Sequence, residues 1–398
     1  MFFSVIYMRM RSALFFSLVA IYSAPTLAER LEIPSLDPKN RAYLESFCAY
    51  HPSSGLCFFT PNPSAKPTQP GGGPGGSGTG GGGQPGWEPS DGLCDPAVPA
   101  NAVTPAVSAT GQVDGRFPDN AVIDLRGKTL NVSVAARSGV VVRGGANVRV
   151  TGARIIGPAP RSTIWKHMKK DPRAGNGYDG DGVLFKDGGG VARVDHVWID
   201  NMMDAISVPD VGSFEICGVY ARYTRDDFIE NDRCHDGVIR DVLVDDTHMF
   251  LSMRRGHSAS TNTCTANITI ADSLVRLGCQ PYDGDMKGHK DPNSCNGRTT
   301  GQGQLFKTGA GGPTVNVSNT IFLVESKNEG GTPQMDLPRG TYSNVTLVWL
   351  GGGTYPGKVP ATGVTVTSDV GVWNQARAAW LSRHGCDAGG NACAFTNR

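Results

Sequence analysis

Between residues 181 and 254 the chain repeats one short alternation of apolar and polar positions. Asp181-Gly-Val-Leu-Phe-Lys186, Asp204-Ala-Ile-Ser-Val208, Asp227-Phe-Ile-Glu-Asn-Asp232 and Met249-Phe-Leu-Ser-Met-Arg254 begin at steps of 23, 23 and 22 residues. Such a period has room for two or three strands and tight turns but no helix, and self-similarity at this step marks a solenoid. Val- and Ile-rich runs with polar punctuation continue the pattern at 140–143, 147–150, 194–199, 216–220, 238–244, 267–270, 315–317 and 344–348. One amphipathic helix is predicted, over 373–381. The expected fold is all-β: a right-handed parallel β-helix with a short C-terminal helical cap. That cap, with Cys386 and Cys393, closes an open end that would otherwise expose a bare strand edge.

Stacking the repeats sorts the side chains, because neighbours along a strand point to opposite faces. Val183, Phe185, Ile206, Val208, Ile229, Asn231, Leu251 and Met253 are expected inside. One outward row holds Leu184, Ser207, Glu230 and Ser252; the next holds Lys186, Pro209, Asp232 and Arg254. Gln304-Leu-Phe-Lys-Thr-Gly309 resembles Leu184-Phe-Lys-Asp-Gly188, which assigns Lys307 to the second row. Phe228 and Phe250 are expected outward, as a small apolar step beside the acids. Two insertions rich in Lys, His and Asp, 158–180 and 278–303, would wall a groove floored by Glu230, Asp232, Arg254 and Lys307.

Charge and composition narrow the function classes. The 37 Lys and Arg nearly balance 36 Asp and Glu, which argues against a dedicated nucleic-acid binder. Residues 1–28 read as an export signal: basic Arg9 and Arg11, an apolar run over 13–21, and small residues up to a cleavage site near Ala28. The run is too short for a transmembrane segment, so a secreted or periplasmic protein is expected, working as a monomer. All ten cysteines follow the cleavage point, and an even number in an exported chain favours disulfides over metal ligation. Cys48/Cys57 and Cys386/Cys393 are natural pairs. A small cysteine-bearing segment (29–61), a Gly/Pro-rich flexible linker (62–93), the β-helix (94–364) and the cap (365–398) complete the organisation.

Val197-Trp-Ile-Asp-Asn201, the Asp204-Ala-Ile-Ser-Val208 that follows, and the acids of Asp226-Asp-Phe-Ile-Glu-Asn-Asp232 resemble the pectate-lyase-like superfamily over roughly residues 110–350. That resemblance implies carboxylates on neighbouring coils holding Ca²⁺, with an Arg or Lys removing the proton alpha to a uronate carboxyl. The chain lacks the Arg-x-Pro-x-x-Arg stretch of the best-known lyases. Asn201…Asp204, Asp226-Asp227 and Gly256-His-Ser258 also echo the polygalacturonase-like hydrolases, although no Arg-Ile-Lys follows.

Elimination from a uronate needs its carboxylate neutralised, a base, and help for the leaving oxygen. A hard cation on oxygen ligands serves the first need. Glu230 and Asp232 are candidates for cation or substrate, and Lys307 or Arg254 for base or charge stabiliser. Asp226 and Asp227 are metal candidates or, equally, turn caps. Lys186, Ser207, Phe228 and Ser252 are candidate substrate contacts; His248 and His257 read as incidental, and Asn231 as a core ladder residue. The leading expectation is a lyase on an acidic glycan. Hydrolysis by a carboxylate pair, Glu230 with Asp204, Asp226 or Asp227, is second. A non-catalytic glycan-binding module is third.

Overall fold

The computed structural model describes Cys94, 97–163, Trp165, Met168, 180–253, 264–281, 300–301, 303–308, 312–326 and 335–394. The chain divides into two units, Met1–Gly71 and Gly72–Arg398, and every described residue belongs to the second. The expected signal, cysteine-bearing segment and linker therefore lie outside the described residues, as do Arg254, His257 and Cys48/Cys57.

The described chain is all-β with one C-terminal helix. A seven-stranded sheet takes Val113–Arg116, Val140–Arg143, Asp181–Lys186, Asp204–Ser207, Asp227–Glu230, Met249–Met253 and Phe306–Thr308 in sequence order, all parallel. A thirteen-stranded sheet collects the intervening strands, again in parallel pairs. Its long members bend part-way along. In Val191–Asp200, residues up to Asp195 pair with Ser213–Cys217, whereas Trp198 to Asp200 pair with Tyr220–Arg222.

The bend has a local cause. His196, Gly218, Asp241, Asp272, Asn319 and Asn344 occupy equivalent corners, each with φ between 44° and 59°. Short polar side chains and glycine tolerate this left-handed conformation best. The last three also hydrogen-bond to one another along the corner: Asn319 Nδ2 donates to Asp272 Oδ1 at 2.6 Å, and Asn344 Nδ2 to Asn319 Oδ1 at 2.9 Å.

Between the sheets lies one apolar core, filled mainly by Val, Ile, Leu and Phe from strands of both sheets. Phe228 and Phe250 are in it. They are fully buried and stacked at 5.6 Å, with Phe306 and Phe322 edge-on to Phe250. The expected outward step is thus absent, and Phe228 is not available as a substrate contact. Strict alternation fails because Phe228 and Ile229 both enter the core. Asp227 and Glu230, three positions apart, consequently emerge on one side.

The C-terminal helix Val370–Arg383 begins at Asp369, whose Oδ1 accepts from Gly371 N at 2.8 Å. It does not close an end. Trp373, Ala376, Trp380 and Leu381 pack on Trp198, Tyr220, Leu243, Leu274, Ile321, Leu323 and Val348, side chains from successive strands of the larger sheet. Arg377 Nε donates to Asp245 Oδ2 at 2.7 Å, and Arg383 pairs with Asp241. Cys386 and Cys393 are joined as expected; Cys94–Cys217 and Cys234–Cys264 add two further links. No helix among the described residues is long and apolar enough to cross a membrane.

Candidate functional site

Parallel register builds the site one strand at a time. Asp114, Val141, Leu184, Ser207, Glu230, Ser252 and Lys307 are successive partners across the seven-stranded sheet. The row of Leu184, Ser207, Glu230 and Ser252 is therefore as expected. Lys307 is not where the local likeness put it. It pairs with Ser252, in the Glu230 row, instead of extending the Lys186 row. Lys307 Nζ donates to Asp227 Oδ2 at 3.3 Å.

Two overlapping groups of acids meet here. One oxygen each from Asp181, Asp204 and Glu230 lies within 4.8 Å of the others, and so does one each from Asp204, Asp226 and Asp227. Asp204 belongs to both, and its Oδ1 accepts the Asp227 backbone N–H at 3.0 Å. Asp204, Asp226 and Asp227 are buried, whereas Asp181, Glu230 and Lys307 reach the surface in part. Asp181 was missing from the expected set. Its signal was present in the sequence, since Asp181, Asp204 and Asp227 head three consecutive repeats.

Ser207 sits between two of these acids. Its hydroxyl contacts Asp181 and, at 3.1 Å, Glu230 Oε2. One hydroxyl hydrogen satisfies one acceptor, so the second contact is a hydrogen bond only when a carboxyl proton is donated to Ser207 Oγ. Ser252, also buried, donates to Asp232 Oδ1 at 2.6 Å. Neither serine presents an open hydroxyl for substrate. Asn231 is inside as expected but forms no ladder; it holds the local turn through His235 N and His235 O. Lys186 is exposed and pairs in register with Arg143, away from the acids.

The electrostatics follow from crowding. Burial first, then the charges of Glu230, Asp226, Asp227 and Asp181, hold the Asp204 carboxyl well above the usual range. Burial and Asp226 do the same to Asp227, with Lys307 opposing. Glu230 is pushed up to about 7 by burial, Asp181 and Asp232, while Ser207 works against the rise. Lys307 is drawn down by burial, but Asp227, Asp226 and Asp232 outweigh this and raise its pKa. Its ammonium is thus held protonated, which opposes the expected use as a neutral base.

Asp227 Oδ1 is buried without a hydrogen-bond partner, and carboxylate oxygens of Asp204, Asp226, Asp181 and Glu230 gather beside it, with the Lys307 ammonium at the other Asp227 oxygen. That set suits a hard cation such as Ca²⁺. Beside the acids, Tyr223 adopts φ 56°, an unusual conformation for a bulky residue. The Arg161 and Arg225 guanidiniums both lie over its ring, at 4.7 and 4.8 Å. Tyr223 Oη donates to Arg161 O at 2.7 Å, and buried Arg225 donates to Thr163 O. The first residues of the 158–180 insertion are in this way fixed next to the Asp226–Asp227 turn.

Fold and site together define an all-β protein of stacked parallel strands carrying a half-buried carboxylate cluster and one lysine. No family model matches the chain, and neither does a curated protein or a solved structure.

Proposed function

We propose that the chain is an exported carbohydrate-active enzyme built as a right-handed parallel β-helix, and that it hydrolyses an acidic, uronate-containing glycan with paired carboxylates. The observation that carries this reading is the approach of buried Asp204, whose pKa burial and neighbouring acids hold well above the ordinary range, to within 4.8 Å of Glu230, whose pKa is about 7. Two carboxyls whose environments set different protonation are what general acid–base hydrolysis requires. The two carboxyls come within 4.8 Å, the close spacing of a retaining pair, which leaves no room for a water between them. Asp204 gives its proton to the glycosidic oxygen as the anomeric C–O bond breaks and the Glu230 carboxylate bonds to the anomeric carbon; water then displaces Glu230 from that carbon and returns a proton to Asp204. Lys307, paired with Asp227, offsets part of the negative charge beneath the reacting sugar.

A second reading, β-elimination from a uronate, is favoured by one observation, the Asp181, Asp204 and Glu230 oxygens within 4.8 Å. These residues and Asp227 would hold a Ca²⁺, which would neutralise the substrate carboxylate. The protonated state of Lys307 counts against it.

Purified full-length protein on a panel of acidic polysaccharides separates the readings. Hydrolysis predicts new reducing ends without the ultraviolet absorbance of unsaturated uronates, and loss of turnover in Asp204→Asn and Glu230→Gln. Absorbance that disappears on adding chelator would establish elimination. Retention on a glycan without turnover of any polymer would leave a binding module.

A further inference from the structure

The last residues of the first three strands of the seven-stranded sheet carry positive charge. In its first three strands Arg116, Arg143 and Lys186 are consecutive register partners, placing three cations at strand spacing, about 4.8 Å apart. Arg143 is committed to Asp114, with bonds of 2.7 and 3.0 Å. Arg116 and Lys186 are exposed and have no ion-pair partner among the described residues. The free positive charges therefore lie two strands apart, about 10 Å. Asp114, which begins the Glu230 row, is held below the ordinary carboxylate range by its hydrogen bond to Arg143, with Lys186 contributing, so strip and row share one face.

Acids gather from the start of the third strand onward. Asp181 and its register partner Asp204 open the third and fourth strands, and Asp226, Asp227, Glu230 and Asp232 follow at the fifth, against Lys307. A uronate carboxylate brought into this cluster meets like charge in a poorly solvated place, where repulsion is strong. Over Arg116 and Lys186 the same carboxylate is attracted.

We infer that Arg116 and Lys186 form a binding strip for the charged residues of an acidic heteroglycan lying across the strands, and that a neutral sugar occupies the carboxylate cluster. A polymer in which charged and neutral residues alternate meets both demands, with its carboxylates over the strip and a neutral residue at the cluster. This inference rests on the hydrolytic reading for where the cut falls; the binding strip itself does not depend on turnover.

Calorimetry on the full chain carrying Glu230→Gln tests it without cleavage. The probes are an alternating uronate–N-acetylhexosamine polymer, homopolymeric polygalacturonate, and fully methyl-esterified polygalacturonate, which is neutral. The alternating polymer is expected to bind best. Adding Arg116→Ala and Lys186→Ala is expected to weaken it about tenfold and to flatten the loss of affinity between about 50 and 200 mM salt. Unchanged affinity and salt slope, or equally tight binding of the neutral polymer, overturns the strip. Adding Asp232→Asn instead, which removes a half-buried acid of the cluster, is expected to raise affinity for polygalacturonate severalfold and leave the alternating polymer unaffected. An equal effect on both polymers overturns the assignment of a neutral sugar to the cluster. Strip-dependent binding without turnover would refute hydrolysis and leave the strip standing.

Discussion

Lys307 Nζ lies 3.3 Å from Asp227 Oδ2 although 80 residues separate the two. The contact brings the site's one described cation to its most enclosed acid. Replacing Lys307 by Met leaves Asp227 buried among Asp226, Glu230 and Asp232 with nothing opposing the crowding. Breaking one side of such a pair costs roughly 3–5 kcal/mol when the remaining charge persists, and less if it takes up a proton. Chemical denaturation of Lys307→Met should show the larger deficit at pH 8 and a smaller one at pH 5. An equal deficit at both would mean that the pair carries no charge.

The raised pKa of Glu230 has a definite sign in stability. Its folded value, about 7, exceeds the 4.5 of an ordinary glutamate, so between these the folded state binds more protons than the unfolded state. Stability must fall as pH rises through that window, by up to roughly 3 kcal/mol from this group. Glu230→Gln removes the contribution. The variant should match the parent near pH 4 and exceed it at pH 8 in thermal melts. A Gln variant with the parent's pH slope would place the titration elsewhere.

Phe228 separates a core role from a glycan-contact role. Its ring is fully buried against Phe250, and Phe→Ala truncations in cores cost about 3–5 kcal/mol. Phe228→Ala should lose stability on that scale. Phe228→Leu should recover most of it with glycan affinity unchanged. Loss of affinity in the Leu variant at normal stability would restore the surface role.

The helix makes a comparable prediction at a distance from the acids. Trp380 is fully buried, stacks on His384 at 3.9 Å and donates Nε1–H to Asp241 O at 3.3 Å. Trp380→Ala should lower stability by about 3–5 kcal/mol while leaving affinity for the probe glycans intact. A change in affinity at preserved stability would couple this face to the groove.

The strand repeats and the Ser207–Glu230–Ser252 row were legible because apolar alternation and a constant step jointly fix register. The fate of Lys307 was not. Gln304-Leu-Phe-Lys matches an earlier stretch by residue type, but the insertion before it carries no register marker, and pairing with Met249–Met253 shifts it by two positions. Phe228 was lost to a local break in alternation that adjacent apolar residues permit and do not announce. Asp181 could have been found from its place at the head of a repeat. The amphipathic pattern over 373–381 identified the helix without naming the surface that receives Trp373, Ala376 and Trp380. That surface is assembled from seven residues scattered from Trp198 to Val348, so no local window contains it.

A 14-residue helix is about 21 Å long, enough to lie over four or five strands at their ordinary spacing. Arrays of stacked repeats tend to fray from an end, each unit leaning only on its neighbours. A rod bolted across several layers, through Asp241 and Asp245 as well as the tryptophans, makes those layers melt as one block. Loss of order at the C-terminal edge then has to wait until the brace lets go.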